Sequence, residues 1–289
     1  MVKLMTGMLV TRYSHQHDIV FRIKNIVENT VILHGEDLRL EADAPIEDVR
    51  VLPEDDIRER QEEMKDKEEY SYRMFRQDYQ LMKEKKDMKH KRDEPSNIAR
   101  FQLPVKVLHI DGDRLYLKKC IDLYQRLGLQ VHGVYLQENE LPLEIDTIIR
   151  KIQPEILVVT GHDAYSKSKG GAKKELTAYR NSKYFVETVR KARMWEPNLD
   201  QLIIFAGACQ SHFESIIRAG ANFASSPERI NIHALDPPVY VIAKIAYTPF
   251  MDKVNVYDVL KNTMTGEKGL GGMETKGLFR TGLPYVETK

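Results

Sequence analysis

The sequence predicts an α/β protein whose main domain is a three-layer parallel sheet covered by helices on both faces. After residue 100, short and almost uninterrupted apolar runs alternate with amphipathic stretches of helical length. The apolar runs have too few polar residues to face water on either side, which is typical of parallel strands. The segments before residue 100 differ in composition from this part and are expected to form separate units.

Residues 1–53 are predicted to form a small SH3-like β-barrel. Runs rich in Val, Ile, Leu and Phe, separated by turn residues, give strands at 8–12, 19–26, 30–34 and 38–41. Such a unit either docks a partner or braces the larger domain, and the sequence does not distinguish the two roles.

Residues 54–98 are predicted to be a charged helical connector. From 54 to 94 the chain has 14 acidic and 12 basic residues and neither glycine nor proline, which is typical of a solvated helix or helical hairpin. An apolar stripe at helical spacing indicates that its second half docks partly on another element. The stripe consists of Tyr72, Phe75, Tyr79 and Met82.

Residues 99–289 are predicted to be the α/β domain. The predicted strands are 105–110, 131–136, 156–160, 202–205 and 230–234. The predicted helices are 114–127, 143–152, 182–194, 211–219 and 254–262. The glycine-rich stretch 266–272 is predicted to be a loop that crosses the sheet edge.

Composition excludes several classes of function. The 44 Lys plus Arg and 43 Asp plus Glu leave a formal charge of +1, which is not that of a polycationic nucleic-acid binder. Two cysteines cannot form a disulfide framework, so we expect a reducing compartment. We find neither a signal peptide nor an apolar run that would span a membrane. The sequence therefore predicts a cytosolic protein that binds neither nucleic acid nor membrane.

Two predicted strands end in turns that carry a reactive side chain. His162 follows the run 156–160, and Cys209 follows the run 202–205. The carboxyl ends of parallel strands meet at one edge of the sheet, where ligands bind. His162 precedes Cys209 by 47 residues, which one βαβ crossover spans. We predict a catalytic dyad in which Cys209 is the nucleophile and His162 its base.

The turn that carries Cys209 has features that suit a nucleophile. The predicted helix 211–219 points its amino end at the sulfur, and that field favours the thiolate. The amide of Cys209 and its neighbours can supply an oxyanion hole. An alanine before the cysteine and a histidine about 50 residues upstream also match the caspase signature, so the sequence favours a caspase-like sheet.

Two enzyme classes offer alternative roles for the same residues. In class I amidotransferases the histidine lies well downstream of the cysteine, and His212 and His233 are the downstream candidates here. A zinc site would need His162, Asp163, Cys209 and His212 to converge without the usual paired ligand spacing. The dyad is favoured over both.

Two binding-module interpretations are also weaker than the dyad. A flavodoxin-like or receiver-like module would use Asp111, Asp113 and Lys118 as an acidic pocket, although an aspartate there is also an ordinary helix cap. The stretch 166–174 has lysines around a glycine pair but lacks Walker A spacing. We interpret it as a flap beside the cleft.

Several long runs carry a family resemblance. The reactive residues lie in Gly-His-Asp-Ala-Tyr-Ser-Lys, at 161–167, and in Phe-Ala-Gly-Ala-Cys-Gln-Ser-His-Phe-Glu-Ser, at 205–215. Further runs are 33–36, 39–40, 107–113, 218–227 and 267–272. With these runs the sequence resembles the YabG family of sporulation-specific cysteine proteases from endospore-forming bacteria.

The resemblance implies an endopeptidase that processes spore coat and cortex-associated proteins, made in the mother-cell cytosol and later found in the spore coat. It implies that Cys209 and His162 are catalytic, that cleavage occurs next to basic residues, and that the chain cleaves itself. The dyad chemistry requires no metal or organic cofactor. We expect self-cleavage in the connector, after one of Lys85, Lys86, Lys89, Lys91 or Arg92.

The residue after the histidine departs from the wider caspase-like group, in which a glycine commonly stands there. Here it is Asp163, whose N–H can join that of Cys209 in the oxyanion hole. A basic substrate side chain needs a desolvated carboxylate. The candidates are Asp163, Asp111, Glu214 and Asp236.

Two functions of other classes stay open at this point. One is a non-enzymatic scaffold for coat assembly, bound through the barrel and the connector. The other is a metal-dependent hydrolase. The sequence does not predict the oligomeric state.

Overall fold

The computed structural model describes residues 3–93, 101–166, 172–261 and 263–282, apart from the side chains at 82, 83 and 85–93. Within these ranges no helix is both long enough and apolar enough to cross a membrane.

The N-terminal strands form one antiparallel sheet in the order β4-β3-β2-β1-β5. They are β1 (Leu9–Arg12), β2 (Phe21–Val27), β3 (Thr30–Gly35), β4 (Glu41–Pro45) and β5 (Val49–Val51). The predicted strand at 38–41 is wrong, because the chain leaves the sheet there. Leu38 and Leu40 instead form isolated bridges with His233 and Asp163 of the larger domain.

A single helix of 40 residues, α1 (Glu54–Asp93), follows the N-terminal sheet. Its apolar stripe docks as predicted: Phe75 is buried, with its ring centroid 5.5 Å from that of Tyr240. The ring of Tyr79 lies 4.5 Å from that of Tyr247. The side chain of Met82 and residues 94–98 of the predicted connector lie outside the described part.

The larger sheet has the order β13-β11-β10-β9-β7-β8, in which the first five strands along the chain are parallel and β13 is antiparallel. Its strands are β7 (Val107–Asp111), β8 (Val131–Tyr135), β9 (Ile156–Thr160), β10 (Ile203–Ala206), β11 (Phe223–Ser225) and β13 (Leu270–Gly272). Two short pairs stand apart from it: β6 (Phe101–Leu103) with β15 (Arg280–Gly282), and β12 (Lys253–Val254) with β14 (Thr275–Lys276).

Helices cover both faces of this sheet. They are α2 (Arg114–Arg126), α3 (Leu141–Ile152), α4 (Ser182–Trp195), α5 (Phe213–Arg218), α6 (Pro238–Tyr247), α7 (Val256–Leu260) and α8 (Gly266–Gly269). Val158 and Phe205 point to the face packed by α2 and α6, whereas Leu157 and Ile204 point to the face packed by α3 and α4. Both faces of the sheet are buried, so the side chains of β9 and β10 that point to either face are apolar. The predicted three-layer α/β arrangement is confirmed.

Two sequence predictions for the last third of the domain are wrong, and two elements there were not predicted. Residues 230–234 are not a strand of the sheet, since this extended stretch lies against residues 37–39. The fifth parallel strand is β11, whose three residues are too few to give a clear pattern. The stretch 266–272 forms α8 and the edge strand β13 rather than a loop. Helix α6 was not predicted.

Candidate active site

The structure brings the two reactive turns to the same edge of the sheet. Strands β9 and β10 are paired in parallel, with Ala206 opposite Val159, so the turns that follow them are neighbours. The N–H groups of Asp163 and Cys209 both donate to the carbonyl oxygen of Arg39, at 3.2 and 3.1 Å. Two amides that converge on one oxygen have the arrangement of an oxyanion hole.

Cys209 is completely buried beneath the N-terminal sheet and packs in the same apolar cluster as Leu33 and Leu40. Its Sγ accepts a hydrogen bond from the N–H of Ile232 at 3.1 Å and lies 3.4 Å from the Ile232 carbonyl oxygen. Burial raises the pKa of the Cys209 thiol to about 12, against the lowering effect of the Ile232 backbone and the Arg39 charge. The thiol is therefore neutral in this closed arrangement.

The raised pKa of Cys209 is the opposite of the lowered pKa that the predicted helix 211–219 was expected to produce. Helix α5 is six residues long and begins at Phe213, two residues later than predicted, with His212 as its cap. Its field is weak because few peptide dipoles add up in so short a helix. Burial by the N-terminal sheet, which the sequence did not predict, is the larger effect.

His162 is also fully buried and stacks on His34, with 3.6 Å between ring centroids. Its Nδ1 is 3.6 Å from Glu138 Oε1, and its Nε2 is 3.7 Å from Asp113 Oδ2. Burial and the charge of His34 lower the His162 pKa, while the two carboxylates raise it. Within the described part of the chain, neither ring nitrogen has a hydrogen-bond partner, so no such bond joins His162 to Cys209.

The carboxylate of Asp163 is tied into the protein. It accepts a hydrogen bond from Ser211 Oγ at 2.9 Å, a short one from Ser182 Oγ, and others from two backbone N–H groups. Ser211 Oγ in turn accepts from the N–H of Ala208 at 2.9 Å. This network links the histidine turn to the cysteine turn. Burial raises the pKa of Asp163 to about 6, despite these hydrogen bonds.

A buried arginine pocket lies beside the two converging amides. The guanidinium of Arg39 binds both carboxylate oxygens of Asp111, at 2.9 and 2.8 Å, in the bidentate geometry of strong arginine recognition. Its Nε donates to the carbonyl oxygen of Ala234 at 2.7 Å, and Cys120 Sγ is 3.6 Å from one terminal nitrogen. Burial works to lower the pKa of Arg39, but the nearby Asp111 raises it above the usual value.

Of the four carboxylates predicted to bind a basic substrate side chain, Asp111 is the one that binds a guanidinium in this pocket. Glu214 pairs with Arg229 and is half exposed. Asp236 accepts a hydrogen bond from the N–H of Met264 at 2.7 Å, and burial raises its pKa to about 7. The carboxylate of Asp163 is occupied by the serine network.

The backbone around Arg39 is held on both sides like an extended peptide. The N–H of Arg39 donates to the carbonyl of Ile232 at 3.4 Å, and the N–H of Ala234 donates to that of Asp37 at 2.9 Å. On the other side, the N–H of Glu41 donates to the carbonyl of Asp163 at 3.2 Å. Residues 230–234 thus form the edge of a groove that binds an extended chain, as in β-strand addition.

The structure separates the residues of the alternative sites. The four predicted zinc ligands do not come together, because the Asp163 carboxylate, Cys209 Sγ and His212 ring bind other groups. His233, the other amidotransferase candidate, pairs with Glu68 of α1 at 3.3 Å. Asp113 caps α2, as the simpler interpretation of the binding-module residues predicted.

Two other groups among the described residues have the composition of a metal site. One is His34, Asp113 and His162, and the other is His109, Asp111 and Cys120, and both groups are buried. In the second group, Asp111 and Cys120 already contact the cationic guanidinium of Arg39. The first group includes the predicted catalytic histidine.

Sequence reasoning missed three residues of this site. Glu138 follows β8 by three residues, so inspecting that strand end as well would have found it. His34 and Arg39 belong to the N-terminal unit, which was treated as a separate barrel, and no local pattern indicates that they enter the cleft. Residues 167–171 of the predicted flap lie outside the described part.

A family model described as YabG peptidase U57 matches residues 5–284. The chain belongs to this peptidase family. It is also 50% identical, over 284 residues, to the sporulation-specific protease YabG of Bacillus subtilis (strain 168), covering 96% of this chain and 97% of the relative. No solved structure matches.

Membership of the YabG family makes the protein a protease with a role in sporulation. The non-enzymatic scaffold that the sequence left open is therefore set aside. Neither comparison identifies catalytic residues.

Proposed function

We propose that this YabG-family protease is a cysteine endopeptidase that cleaves spore coat and cortex-associated proteins after arginine, through Cys209 and His162. The observation that carries the proposal is the peptide carbonyl of Arg39, held by the amides of Cys209 and Asp163 while its side chain fills the Asp111 pocket. A protein substrate would present the same groups at the bond that is cut.

The proposed reaction begins with an extended substrate paired to residues 232–234 and with its arginine on Asp111. Cys209, as thiolate, attacks the carbonyl carbon, and the two amides stabilise the negative oxygen of the tetrahedral intermediate. His162 gives a proton to the leaving amine, which departs as a new N-terminus. Water then attacks the thioester, His162 takes its proton, and the acid product leaves the regenerated thiolate.

The surroundings of His162 support its role in proton transfer. Asp113 and Glu138 lie within 4 Å of opposite nitrogens of the ring and favour its protonated form electrostatically.

The same proposal includes the finer architecture and the location of the protein. The larger domain, with histidine and cysteine after adjacent parallel strands, is proposed to be caspase-like, and the N-terminal antiparallel sheet to be SH3-like. The name of the Bacillus subtilis relative supports a role during sporulation. We propose that the protease works first in the mother-cell cytosol and then in the spore coat.

Cleavage of an arginine-containing peptide library by the purified chain tests the dyad. Cys209→Ala and His162→Ala should each lower kcat/KM by about 10⁴-fold, because each removes a group that acts in bond breaking. His132→Ala, at an exposed position on β8, is the matched control and should keep activity. Undiminished cleavage by both dyad variants, with unchanged circular dichroism, would overturn the proposal.

A metal-dependent hydrolase is the second candidate, since His34, Asp113 and His162 place three ligand atoms within 4.8 Å of one another. A zinc-bound water would then replace the thiolate as nucleophile. Elemental analysis together with inhibition by a chelator, but not by a thiol alkylator, would favour this candidate. The opposite inhibition pattern supports the cysteine peptidase.

A further inference from the structure

The substrate groove of this protease is filled by its own N-terminal domain. Residues 37–41, which end the β3–β4 connection and begin β4, make the backbone contacts expected of a substrate on both sides of Arg39. Arg39 is fully buried in the pocket, and neither Cys209 nor His162 has any exposed surface. No external peptide can reach the cysteine while this segment stays in place.

Residues 37–41 match a bound substrate in backbone register as well as in position. Its carbonyl oxygen lies between the two oxyanion-hole amides, the preceding residues pair with 232–234, and the chain continues past the cysteine through Leu40 to Glu41. A segment that only covered the cleft would not need to place an arginine side chain against Asp111. Nor would it need to place the carbonyl oxygen of the same residue on both amides. The peptide bond whose carbonyl oxygen both amides hold is the one between Arg39 and Leu40.

We infer that residues 37–41 are an internal substrate that blocks the groove, and that the protease cleaves its own Arg39–Leu40 bond to open it. This inference rests on the proposed cysteine mechanism. It assigns the self-cleavage to the N-terminal domain rather than to the basic cluster of the connector, whose side chains lie outside the described part.

The chemistry is that of ordinary peptide hydrolysis within one chain. The Cys209 thiol gives its proton to His162 as Sγ forms a bond to the carbonyl carbon of Arg39. The bond to the nitrogen of Leu40 then breaks as that nitrogen gains this proton from His162. Water hydrolyses the thioester, which leaves a carboxylate on Arg39 and a free amine on Leu40. The new ends are no longer joined, so Arg39 can leave the pocket.

The segment is well placed for a reaction within the same molecule. Leu38 and Leu40 flank Arg39 and form bridges to the larger domain, while Tyr116 Oη donates to the carbonyl oxygen of Leu38 at 3.1 Å. An internal substrate held in this way has a high effective concentration. Self-cleavage should therefore follow first-order kinetics at any protein concentration.

Intact mass spectrometry of the freshly purified full chain over time tests the inference. We expect conversion to two fragments, 1–39 and 40–289, at a rate that does not change over a hundredfold dilution. Cys209→Ala should stay whole. A chain that stays whole, is cut only elsewhere, or is cut at a rate proportional to concentration would overturn the inference.

A second measurement follows cleavage of an added arginine peptide in the same samples. Arg39→Ala should remove the internal cut and raise the initial rate on the added peptide by about tenfold or more, because the groove no longer has to open. Arg39→Lys keeps a positive charge beside Asp111 and is the second variant in case Arg39→Ala does not fold. It should slow the internal cleavage. Arg50→Ala, an exposed arginine on β5, is the matched control and should behave as the parent.

The two proposals fail in different ways. If the parent cleaves the added peptide at full rate from the start while residues 39 and 40 stay joined, the internal substrate is wrong and the cysteine mechanism stands. If the added peptide is cut equally by the parent and by Cys209→Ala, the proposed mechanism itself is wrong.

Discussion

The two sides of the groove come from parts of the chain with very different sequence signals. The reactive side is built on β9 and β10, whose parallel pairing places His162 and Cys209 at one sheet edge. The occupied side is the irregular segment 37–41, which leaves the N-terminal sheet and lies in the groove. The first side carries the proposed dyad, whereas the second supplies the arginine that Asp111 binds.

The arginine pocket of this site is visible only when both domains are considered together. Without its contact to Arg39, Asp111 would be only a buried carboxylate at a strand end. It is one of the four carboxylates that the sequence offers for binding a basic side chain. Its bidentate pairing with Arg39 distinguishes it from the other three. The central claim is that the reactive side and the arginine pocket are parts of one peptide-cleaving site.

Outside the proposed dyad, the largest expected effect comes from removing the pocket carboxylate. Asp111→Asn should lower kcat/KM for arginine peptides by about 10³-fold, since a buried guanidinium would lose its charged partner. Glu214→Gln removes a carboxylate that pairs with Arg229 outside the pocket and should stay within about twofold of the parent. Kinetics on folded protein, checked by circular dichroism, measure both. Equal losses in the two variants would contradict the assignment of the pocket.

Burial of the Asp163 carboxyl, which joins the two turns, should show itself as a pH dependence of stability. The pKa of Asp163 rises from its ordinary value of 3.8 to about 6 in the folded protein. Folding therefore favours the protonated acid, so this stabilisation is complete below pH 4 and is lost as the pH rises through 6. The loss amounts to about 3 kcal/mol of unfolding free energy.

Asp163→Asn should remove this pH dependence, because the amide does not ionise. Urea unfolding of the parent and the variant between pH 4 and pH 7 measures the difference. Asp236→Asn, at a second buried carboxyl whose pKa is about 7, is the control and should leave the Asp163 contribution in place. If the parent and Asp163→Asn have parallel stability curves, the carboxyl is not held as described.

The smallest expected effect concerns the connector helix. Glu68 of α1 pairs with His233, which lies in the groove edge and bridges Leu38. Glu68→Gln should lower the unfolding free energy by about 1 kcal/mol or less, as is usual for a partly exposed ion pair. Glu59→Gln, on the exposed first half of the helix, should have no effect. A loss of several kcal/mol would mean that α1 is a main support of the groove.

The same contrast explains how much could be predicted from the sequence. Strand β9 was predicted to the residue, and helices α2 and α4 to within one residue, because apolar periodicity and a closing glycine are local signals. The proximity of the His162 and Cys209 turns followed from the rule that parallel strands end at one edge.

What could not be predicted depends on contacts between distant parts of the chain. Residues 38–41 and 230–234 both have apolar patterns typical of strands, and each was assigned to a sheet. In the structure they lie against one another, and only the three-dimensional packing of the N-terminal sheet on the larger domain decides this. For the same reason the raised pKa of Cys209, which follows from burial by the N-terminal sheet, had no sequence signal.

The most direct test of the central claim uses the two cysteines of the chain. The Arg39→Ala variant, whose groove is not filled by its own arginine, is treated with a peptide chloromethyl ketone ending in arginine and, separately, with one ending in aspartate, and the adduct is located by peptide mass spectrometry. The account predicts an adduct of the arginine reagent on Cys209, and none of the aspartate reagent. Equal labelling by both reagents, or labelling of Cys120 in place of Cys209, would contradict it.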